Sequence, residues 1–134
     1  MNVGEAANAT CLPVRTLHYY ESIDLVVPKR RPNGYREYDS TNIRKLNFIR
    51  KARSLGFSVE TCRTLLSLYE DQNRTSAEVK AIAEKHMAEI NAKIDELQSL
   101  RGTLRHLIDN CKGNSRPDCP IIDELSRQGE ESNL

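Results

Sequence analysis

The chain has 134 residues, enough for one small head and one long appendage but only for a modest hydrophobic core. Its sequence holds no apolar stretch long enough to span a bilayer and no basic-then-apolar secretory segment at its start, so we expect a cytoplasmic protein without a membrane partner. The four cysteines should be mostly thiols in that reducing compartment. The sequence also lacks the paired carboxylates, nucleophile-base arrangements and phosphate loops of enzymes, so we expect no catalytic activity.

Charge is divided unevenly along the chain, although the net charge is only +1. Residues 1–63 hold 11 Lys and Arg against 6 Asp and Glu, whereas residues 64–134 hold 9 against 13. A basic first half favours an anionic partner there, with an ordinary solvated basic surface as the alternative.

Two short helices are predicted near the start, the second running from about Pro13 to Glu21. Two helices joined by a tight turn form a helix-turn-helix, whose second helix enters the major groove of DNA. The signal is weak by itself, because helical hairpins that do not bind DNA are commoner. Four side chains of the second helix are predicted to point outward: Arg15, Thr16, His18 and Tyr19.

A wing is predicted after these helices. Leu25-Val-Val-Pro28 is typical of a short strand ended by proline, and the basic segment 29–38, with Asn33-Gly34 at its tip, is typical of a turn and a returning strand. Arginines and tyrosine hydroxyls on such a ribbon suit contacts to phosphates, which position a protein on DNA. An ordinary solvated hairpin is the alternative.

Three further helices are predicted, from Ser40 to about Leu55, from Ser58 to Asp71 and from Ser76 to about Asn110. The last would be roughly 50 Å long at 1.5 Å per residue. Because a chain of this size cannot cover the apolar side of such a helix, we expect a homodimer. The apolar residues recur at heptad spacing: Ala83, Met87, Ile90, Ile94, Leu97, Leu104 and Ile108.

Cys111 and Cys119 bound a loop that can turn back and set two sulfurs on opposite sides of one ion. Two thiolates without a nearby carboxylate favour a soft ion such as Cu(I), Ag(I) or Au(I), whereas Zn(II) requires about four ligands. Cys119 precedes Pro120 and is predicted to cap a short last helix, which would stabilise its thiolate. Lys80 or Lys112 can offset the negative charge of a complex with two thiolates. The spacing also allows a disulfide, a redox pair or two unconnected thiols.

Several segments resemble the MerR family of transcription regulators, and the resemblance covers nearly the whole chain. Four match successive family signatures: Leu17-His-Tyr-Tyr-Glu21, Leu25-Val-Val-Pro28, Asn33-Gly-Tyr-Arg-Glu-Tyr38 and Ile49-Arg-Lys-Ala-Arg-Ser-Leu-Gly-Phe57. Two more, Ser76-Ala-Glu-Val-Lys80 and the loop from Cys111 to Ile122, resemble its copper-responsive, CueR-like branch. Two positions depart from the family pattern: His18 stands where arginine is common, and Cys11 where glycine is usual.

The resemblance implies a mainly α fold with a winged helix-turn-helix head, a long dimerisation helix that forms an antiparallel coiled coil, and a short C-terminal metal loop and helix. We therefore expect a DNA-binding domain at 1–71, a hinge and dimerisation helix at 72–110, a metal-binding loop and short helix at 111–127, and a flexible tail at 128–134.

The resemblance also implies a function. The dimer would occupy a promoter whose spacer is too long for RNA polymerase, and metal binding would distort that DNA and activate genes of copper efflux or resistance. Cys111 and Cys119 would bind Cu(I), or Ag(I) or Au(I). Ser76 stands where members that sense divalent metals carry a cysteine, which favours a monovalent ion, and Lys80 lies one turn further on.

The matching positions also imply DNA contacts. Arg15, His18 and Tyr19 would face the groove. Tyr35, Arg36 and Arg53 would contact the backbone. Two other functions remain open at this stage: a thiol-redox regulator that uses Cys111 and Cys119 or Cys11, and a copper-buffering protein that does not act on DNA.

Overall fold

The computed structural model describes residues 1–114 and 116–127, and the predicted flexible tail, 128–134, lies outside them. The described chain divides into two compact units, one of Met1–Ile82 and one that begins at Ala83. The predicted domain limits at residues 71 and 110 remain predictions. The elements in chain order are α1 (Val3–Thr10), α2 (Val14–Ser22), β1 (Lys29–Arg30), β2 (Arg36–Glu37), α3 (Ser40–Ser54), α4 (Val59–Glu70), α5 (Ser76–Asp109) and α6 (Pro120–Ser126).

The hydrophobic core of the first unit lies among α1 to α4. Each helix is amphipathic and turns its apolar side inward, which is the main source of its stability in a small domain. The prediction of a mainly α head is confirmed. The largest fully buried side chains are Tyr38, Leu17, Leu46, Ile49, Thr10 and Cys62.

The turn between α1 and α2 is a left-handed helix cap at Cys11. Cys11 has φ 57° and ψ 32°, and its amide donates to the carbonyl oxygen of Ala7. Glycine is the usual residue at such a cap because the left-handed region crowds a Cβ atom. The Cys11 side chain is exposed and its thiol is free.

The first strand of the wing begins after Pro28, so the prediction of a strand at Leu25–Val27 was wrong. The amides of Leu25 and Val26 both donate to the carbonyl oxygen of Tyr20, at 2.8 and 3.3 Å, and so close the end of α2. Amides used in this way cannot join a sheet. The strands β1 and β2 pair antiparallel, with Lys29 opposite Glu37 and Arg30 opposite Arg36.

The helices α3 and α4 begin at side-chain caps. The carboxylate of Asp39 accepts the amide of Asn42 at 2.8 Å, and the hydroxyl of Ser58 accepts the amide of Thr61 at 3.1 Å. Gly56, with φ 91°, allows the sharp reversal between the two helices. Cys62 is fully buried on α4.

The helix α5 begins at a reciprocal cap and has 34 residues. The Thr75 hydroxyl accepts the amide of Glu78, and the Glu78 carboxylate accepts the amide of Thr75, both at 3.2 Å. None of its side chains is buried within one chain. Within residues 1–114 and 116–127, no helix combines the length and apolar character that crossing a bilayer requires.

Candidate metal site and nucleic-acid interface

The loop of residues 111–119, called the sensor loop below, connects α5 to α6 and begins and ends with a cysteine. The amide of Cys111 donates to the carbonyl oxygen of Ile108 at 3.1 Å, which continues the last turn of α5. Gly113 has φ 62°, so it adopts a left-handed conformation that reverses the chain. Cys119 is the N-cap of α6 and Pro120 occupies the first turn, as the sequence predicts.

The two sulfurs of the sensor loop lie 3.4 Å apart, and both residues are half-buried free thiols. This separation is longer than the ~2.05 Å of a disulfide bond. With metal–sulfur bonds of about 2.3 Å, two sulfurs lie ~4.6 Å apart across a linear ion and ~3.8 Å apart along a tetrahedral edge. A modest opening of the loop would therefore admit an ion.

The position of Cys119 at the start of α6 favours its thiolate. The amide of Ile122 is the largest cause that lowers the pKa of Cys119, followed by the thiol of Cys111 and the amide of Ile121. The sulfur makes no side-chain cap hydrogen bond to the described part of α6, so these amides act on it as oriented dipoles at close range. A lowered pKa makes the thiolate, the form that binds metal, more abundant.

Beside Cys119 lies a polar cavity of about 250 Å³. Lys112 and Arg116 both line it, so two cations are available near the sulfur. Contrary to the sequence analysis, carboxylates lie near a thiolate position, because Asp118 and Asp123 line the same cavity. The two cations offset these carboxylates and leave no surplus positive charge for two thiolates that share one monovalent ion. The other lining residues are Asn110, Asn114, Asp118, Pro120 and Asp123.

In the described part of the sensor loop, two potential metal donors are brought together, the thiols of Cys111 and Cys119. Among the residues that the structure describes, His, Cys, Asp and Glu form no group of three or more that could hold a metal ion. His106, the histidine nearest in sequence, lies with its ring 3.3 Å from the side-chain amide of Asn110. An ion at this site would therefore be held by two sulfurs.

Ser76 and Lys80 lie in the first unit, on the first two turns of α5, and both are exposed. The two cysteines follow the other end of the helix. The proposed influence of Ser76 and Lys80 on metal selectivity thus remains a prediction.

The second helix of the head, α2, presents an exposed polar face. Arg15, His18 and Tyr19 recur at the three- and four-residue spacing of one helix face, and all three are exposed. Leu17 and Tyr20 point into the core, with exposed fractions of 1% and 5%. The face is therefore free to enter a groove, as a recognition helix does.

The three residues predicted to contact the DNA backbone differ in their exposure and in the hydrogen bonds that they already make within the protein. Tyr35, beside the wing tip, is 72% exposed. The guanidinium of Arg36 donates from Nε to the carboxylate of Glu21 at 2.5 Å. Arg53 donates to the carbonyl oxygen of Phe57 at 2.8 Å, across the turn that follows α3.

Two polar residues that the sequence analysis did not single out connect elements of the head. Glu21, at the end of α2, accepts hydrogen bonds from both strands of the wing. Arg63, on α4, donates to the carbonyl oxygens of Ile23 and Asp24 at the end of α2, at 2.7 and 3.4 Å. The partners of Glu21 lie nine and fifteen positions away in the sequence and those of Arg63 about forty, so no local sequence signal marked either residue.

An apolar stripe runs along α5 at spacings of three, four and seven residues. Its side chains are between 37% and 57% exposed in one chain. This spacing is that of a coiled-coil seam. The stripe consists of Met87, Ile90, Ile94, Leu97, Leu104 and Ile108.

Comparison with known proteins identifies the family. A family model described as MerR HTH family regulatory protein matches residues 1–68, and one described as MerR, DNA binding matches residues 43–107. The HTH-type transcriptional regulator HmrR of Rhizobium leguminosarum bv. viciae is 55% identical over 126 residues, which cover 94% of this chain and 98% of that protein. The chain belongs to the MerR family of transcription regulators.

Further relatives agree with this assignment. The HTH-type transcriptional regulator CueR of Salmonella typhimurium is 42% identical over 127 residues, covering 94% of this chain and 92% of that protein. The crystal structure of PbrR691 from Ralstonia metallidurans CH34 in complex with lead(II) has a TM-score of 0.82 at 30% identity, covering 94% of this chain and 99% of the other. The MerR-family protein described here is thus a DNA-binding regulator and not an enzyme, which confirms both predictions.

Proposed function

We propose that this MerR-family protein is a homodimeric, Cu(I)-responsive regulator that activates genes of copper efflux or resistance. The observation that carries the proposal is the pair of free thiols, 3.4 Å apart, at the start of α6. The similarity to PbrR691, whose crystal structure is in complex with lead(II), supports a response to metal. Ag(I) and Au(I) share the preference of Cu(I) for two sulfurs and are expected to act in the same way.

The number of donors argues for a monovalent ion. A divalent ion such as Zn(II) requires about four ligands, and two thiols leave half of its coordination unfilled. No third His, Cys, Asp or Glu joins them in the parts of the chain that the structure describes. A near-linear ion needs only the two sulfurs, which would have to move apart by about 1.2 Å from their present separation.

Cys111 and Cys119 would hold the ion, and each has a distinct local role. Cys119 contributes a thiolate that the dipoles of α6 stabilise, while Cys111 joins the site to the end of α5. Lys112 and Arg116 would attract the remaining negative charge from the same cavity, where Asp118 and Asp123 oppose them. The bound ion would supply a bond between the two ends of the loop, and so fix the start of α6 relative to the end of α5.

Dimerisation through α5 follows from its exposed stripe. Leaving six large apolar side chains in water is costly, at about 25 cal/mol for each Å² of apolar surface, and pairing with a second copy removes that cost. We expect an antiparallel pair, as in the family. A dimer presents two heads, whose α2 helices can enter two successive major grooves of promoter DNA.

Activation would then depend on a change in DNA shape. Bending or untwisting a promoter costs roughly 1–6 kcal/mol, and an effector reverses a 1:99 equilibrium when it favours one state by about 5.5 kcal/mol. Binding of one ion to each chain of the dimer can supply a difference on that scale. RNA polymerase would use the distorted promoter that the metal-loaded dimer holds.

Metal stoichiometry under anaerobic, reducing conditions tests the proposal. We expect one Cu(I) for each chain, two for each dimer, and no tight Zn(II) binding. The variant with both Cys111→Ser and Cys119→Ser should bind no Cu(I) yet still bind DNA. Cys11→Ser is the matched control, because it removes an exposed thiol outside the sensor loop. Loss of Cu(I) in this control, or its retention in the double variant, would refute the assignment.

A thiol-redox regulator is the second candidate, and the same sulfur separation favours it. The two sulfurs would need to approach by about 1.4 Å to form a disulfide. The two functions are separated by a Cu(I) chelator, tested once with Cu(I) as the inducer and once with oxidant as the inducer. The chelator should abolish transcriptional activation by a Cu(I) sensor and leave the response of a redox regulator to oxidant intact.

A further inference from the structure

Glu21 links the recognition helix α2 to both strands of the wing. One carboxylate oxygen accepts a hydrogen bond from Nε of Arg36, on β2, at 2.5 Å. The other accepts one from Nη2 of Arg30, on β1, at 3.3 Å. Bonds between a carboxylate and a guanidinium are about twice as strong as neutral ones, because both partners are ionised.

Arg30 extends this link to the tip of the wing. Its second terminal nitrogen, Nη1, donates to the carbonyl oxygen of Gly34 at 3.0 Å. Glu21 thus reaches β1, β2 and, through one guanidinium, the turn between them. No other carboxylate in the described residues has hydrogen bonds to both strands from outside the wing.

The wing depends on such outside contacts for its orientation. Each strand has only two residues, and a two-stranded ribbon of this size is marginal by itself in water. Its base is held by Tyr38, which is 1% exposed and lies in the core. The part nearer the tip is held by Glu21, whose side chain is only 18% exposed, so that water competes weakly for its carboxylate.

The second acid of this region, Glu37, provides a comparison. It pairs with Arg31 at 2.5 Å, but both residues belong to the wing region and neither bonds to α2 in the described structure. Glu37 is 42% exposed. The two acids therefore make similar pairs with arginine, and only the pair made by Glu21 crosses from the wing to the recognition helix.

We propose that Glu21 is a positioning residue that fixes the wing relative to α2, and that Arg36 serves DNA recognition mainly through this carboxylate. Wing contacts to phosphates determine where α2 lies in the groove, whereas contacts of α2 to base edges select the sequence. If the wing can change its angle relative to α2, it can still contact phosphates on any duplex. Those phosphate contacts then no longer hold α2 where its side chains meet the base edges. Glu21 would then determine selectivity without contacting a base.

The proposal rests on DNA binding and not on the response to Cu(I), so metal-free protein is used to test it. The probes are the duplex that the unaltered chain enriches from a random library and a shuffled duplex of the same composition. We expect Glu21→Gln to lower the ratio of the affinity for the enriched duplex to the affinity for the shuffled duplex by at least about threefold. A change of this size is within the range of coupling between residues in direct contact. Affinity for the shuffled duplex should be unchanged or higher, because a negative charge near the phosphates is removed.

Glu37→Gln is the matched control, since it removes the same charge from the same region. It should change both affinities alike and leave their ratio unchanged. In addition, Arg36→Gln should have little further effect on the ratio when Glu21→Gln is already present. Equal ratios for Glu21→Gln and Glu37→Gln, or fully additive effects of Glu21→Gln and Arg36→Gln, would overturn the proposal.

Thermal unfolding of each variant distinguishes altered positioning from loss of structure. A lowered ratio with an unchanged unfolding midpoint supports positioning. If Glu21→Gln does not fold, Arg36→Gln is compared with Arg31→Gln, because each removes one cation of the wing and only Arg36 bonds to α2. A ratio lowered only by Arg36→Gln supports the proposal, and equal ratios refute it. Neither result bears on whether the sensor loop binds Cu(I).

Discussion

Replacing Cys11 by glycine is expected to stabilise the DNA-binding head. Cys11 occupies the left-handed region, with φ 57° and ψ 32°. This conformation costs a residue with a Cβ atom roughly 1–2 kcal/mol. Glycine avoids that cost but loses more freedom on folding, a penalty of roughly 0.4–1 kcal/mol. The side chain is exposed, so little packing is lost, and the net gain should be about 0.5–1 kcal/mol.

Cys11→Ala is the control, because it removes the thiol but retains the Cβ atom. Denaturant unfolding in reducing buffer measures both variants, at one protein concentration because the stability of a dimer depends on concentration. We expect the glycine variant to be more stable than the alanine variant. The sign of this stability difference identifies the backbone conformation at residue 11. In the interior of a right-handed helix, glycine would instead be about 1 kcal/mol less favourable than alanine. A glycine variant no more stable than the alanine variant would refute a left-handed cap at this position.

Three further predictions concern other parts of the chain. Burial raises the pKa of the Cys62 thiol, so iodoacetamide should modify the other three cysteines in the folded protein and Cys62 only after unfolding, as mass spectrometry can show. Arg63→Ala should lower the free energy of unfolding by about 1 kcal/mol, because the carbonyl oxygens of Ile23 and Asp24 lose a donor; an unchanged denaturation midpoint would count against this. In the proposed antiparallel dimer the start of α5 in one chain lies near the end of α5 in the other, so Ser76→Cys should supply a further thiolate to the site and extend the metal response to Zn(II), which a titration with both metals measures.

The helix limits were predictable because their causes are local. The caps of α3 and α5 join residues three positions apart, Asp39 with Asn42 and Thr75 with Glu78. Such pairs can be recognised in a sequence without knowledge of the fold. Cys119 was likewise predictable as an N-cap, because proline follows it directly.

The wing was harder to predict because its causes are not local. Leu25 and Val26 have the composition of a strand, but the carbonyl oxygen of Tyr20 binds their amides. Whether these amides bond to the helix or join a sheet depends on where α2 ends. The apolar, β-branched composition of the segment carries no information about that end point. The link through Glu21 joins residues nine and fifteen positions apart, so charge composition indicated a basic surface but not the acid that organises it.

The geometry of the sensor loop was predictable from the sequence in part. A separation of seven residues indicated that Cys111 and Cys119 could meet, and the structure brings their sulfurs to 3.4 Å. The number of donors could not be derived from the sequence, since any distant histidine or carboxylate could have joined them. Only the three-dimensional arrangement limits the set to two, within residues 1–114 and 116–127.

The two candidate functions make opposite demands on the sensor loop. A disulfide needs the sulfurs ~2.05 Å apart and a linear ion needs them ~4.6 Å apart, and the present separation of 3.4 Å lies between the two. Either product excludes the other, because oxidation consumes both thiols and an ion occupies the space between them. A Cu(I) sensor of this design therefore has to be reduced before it can respond. Oxidant should thus block its response to Cu(I), whereas in a redox regulator oxidant is itself the activating signal.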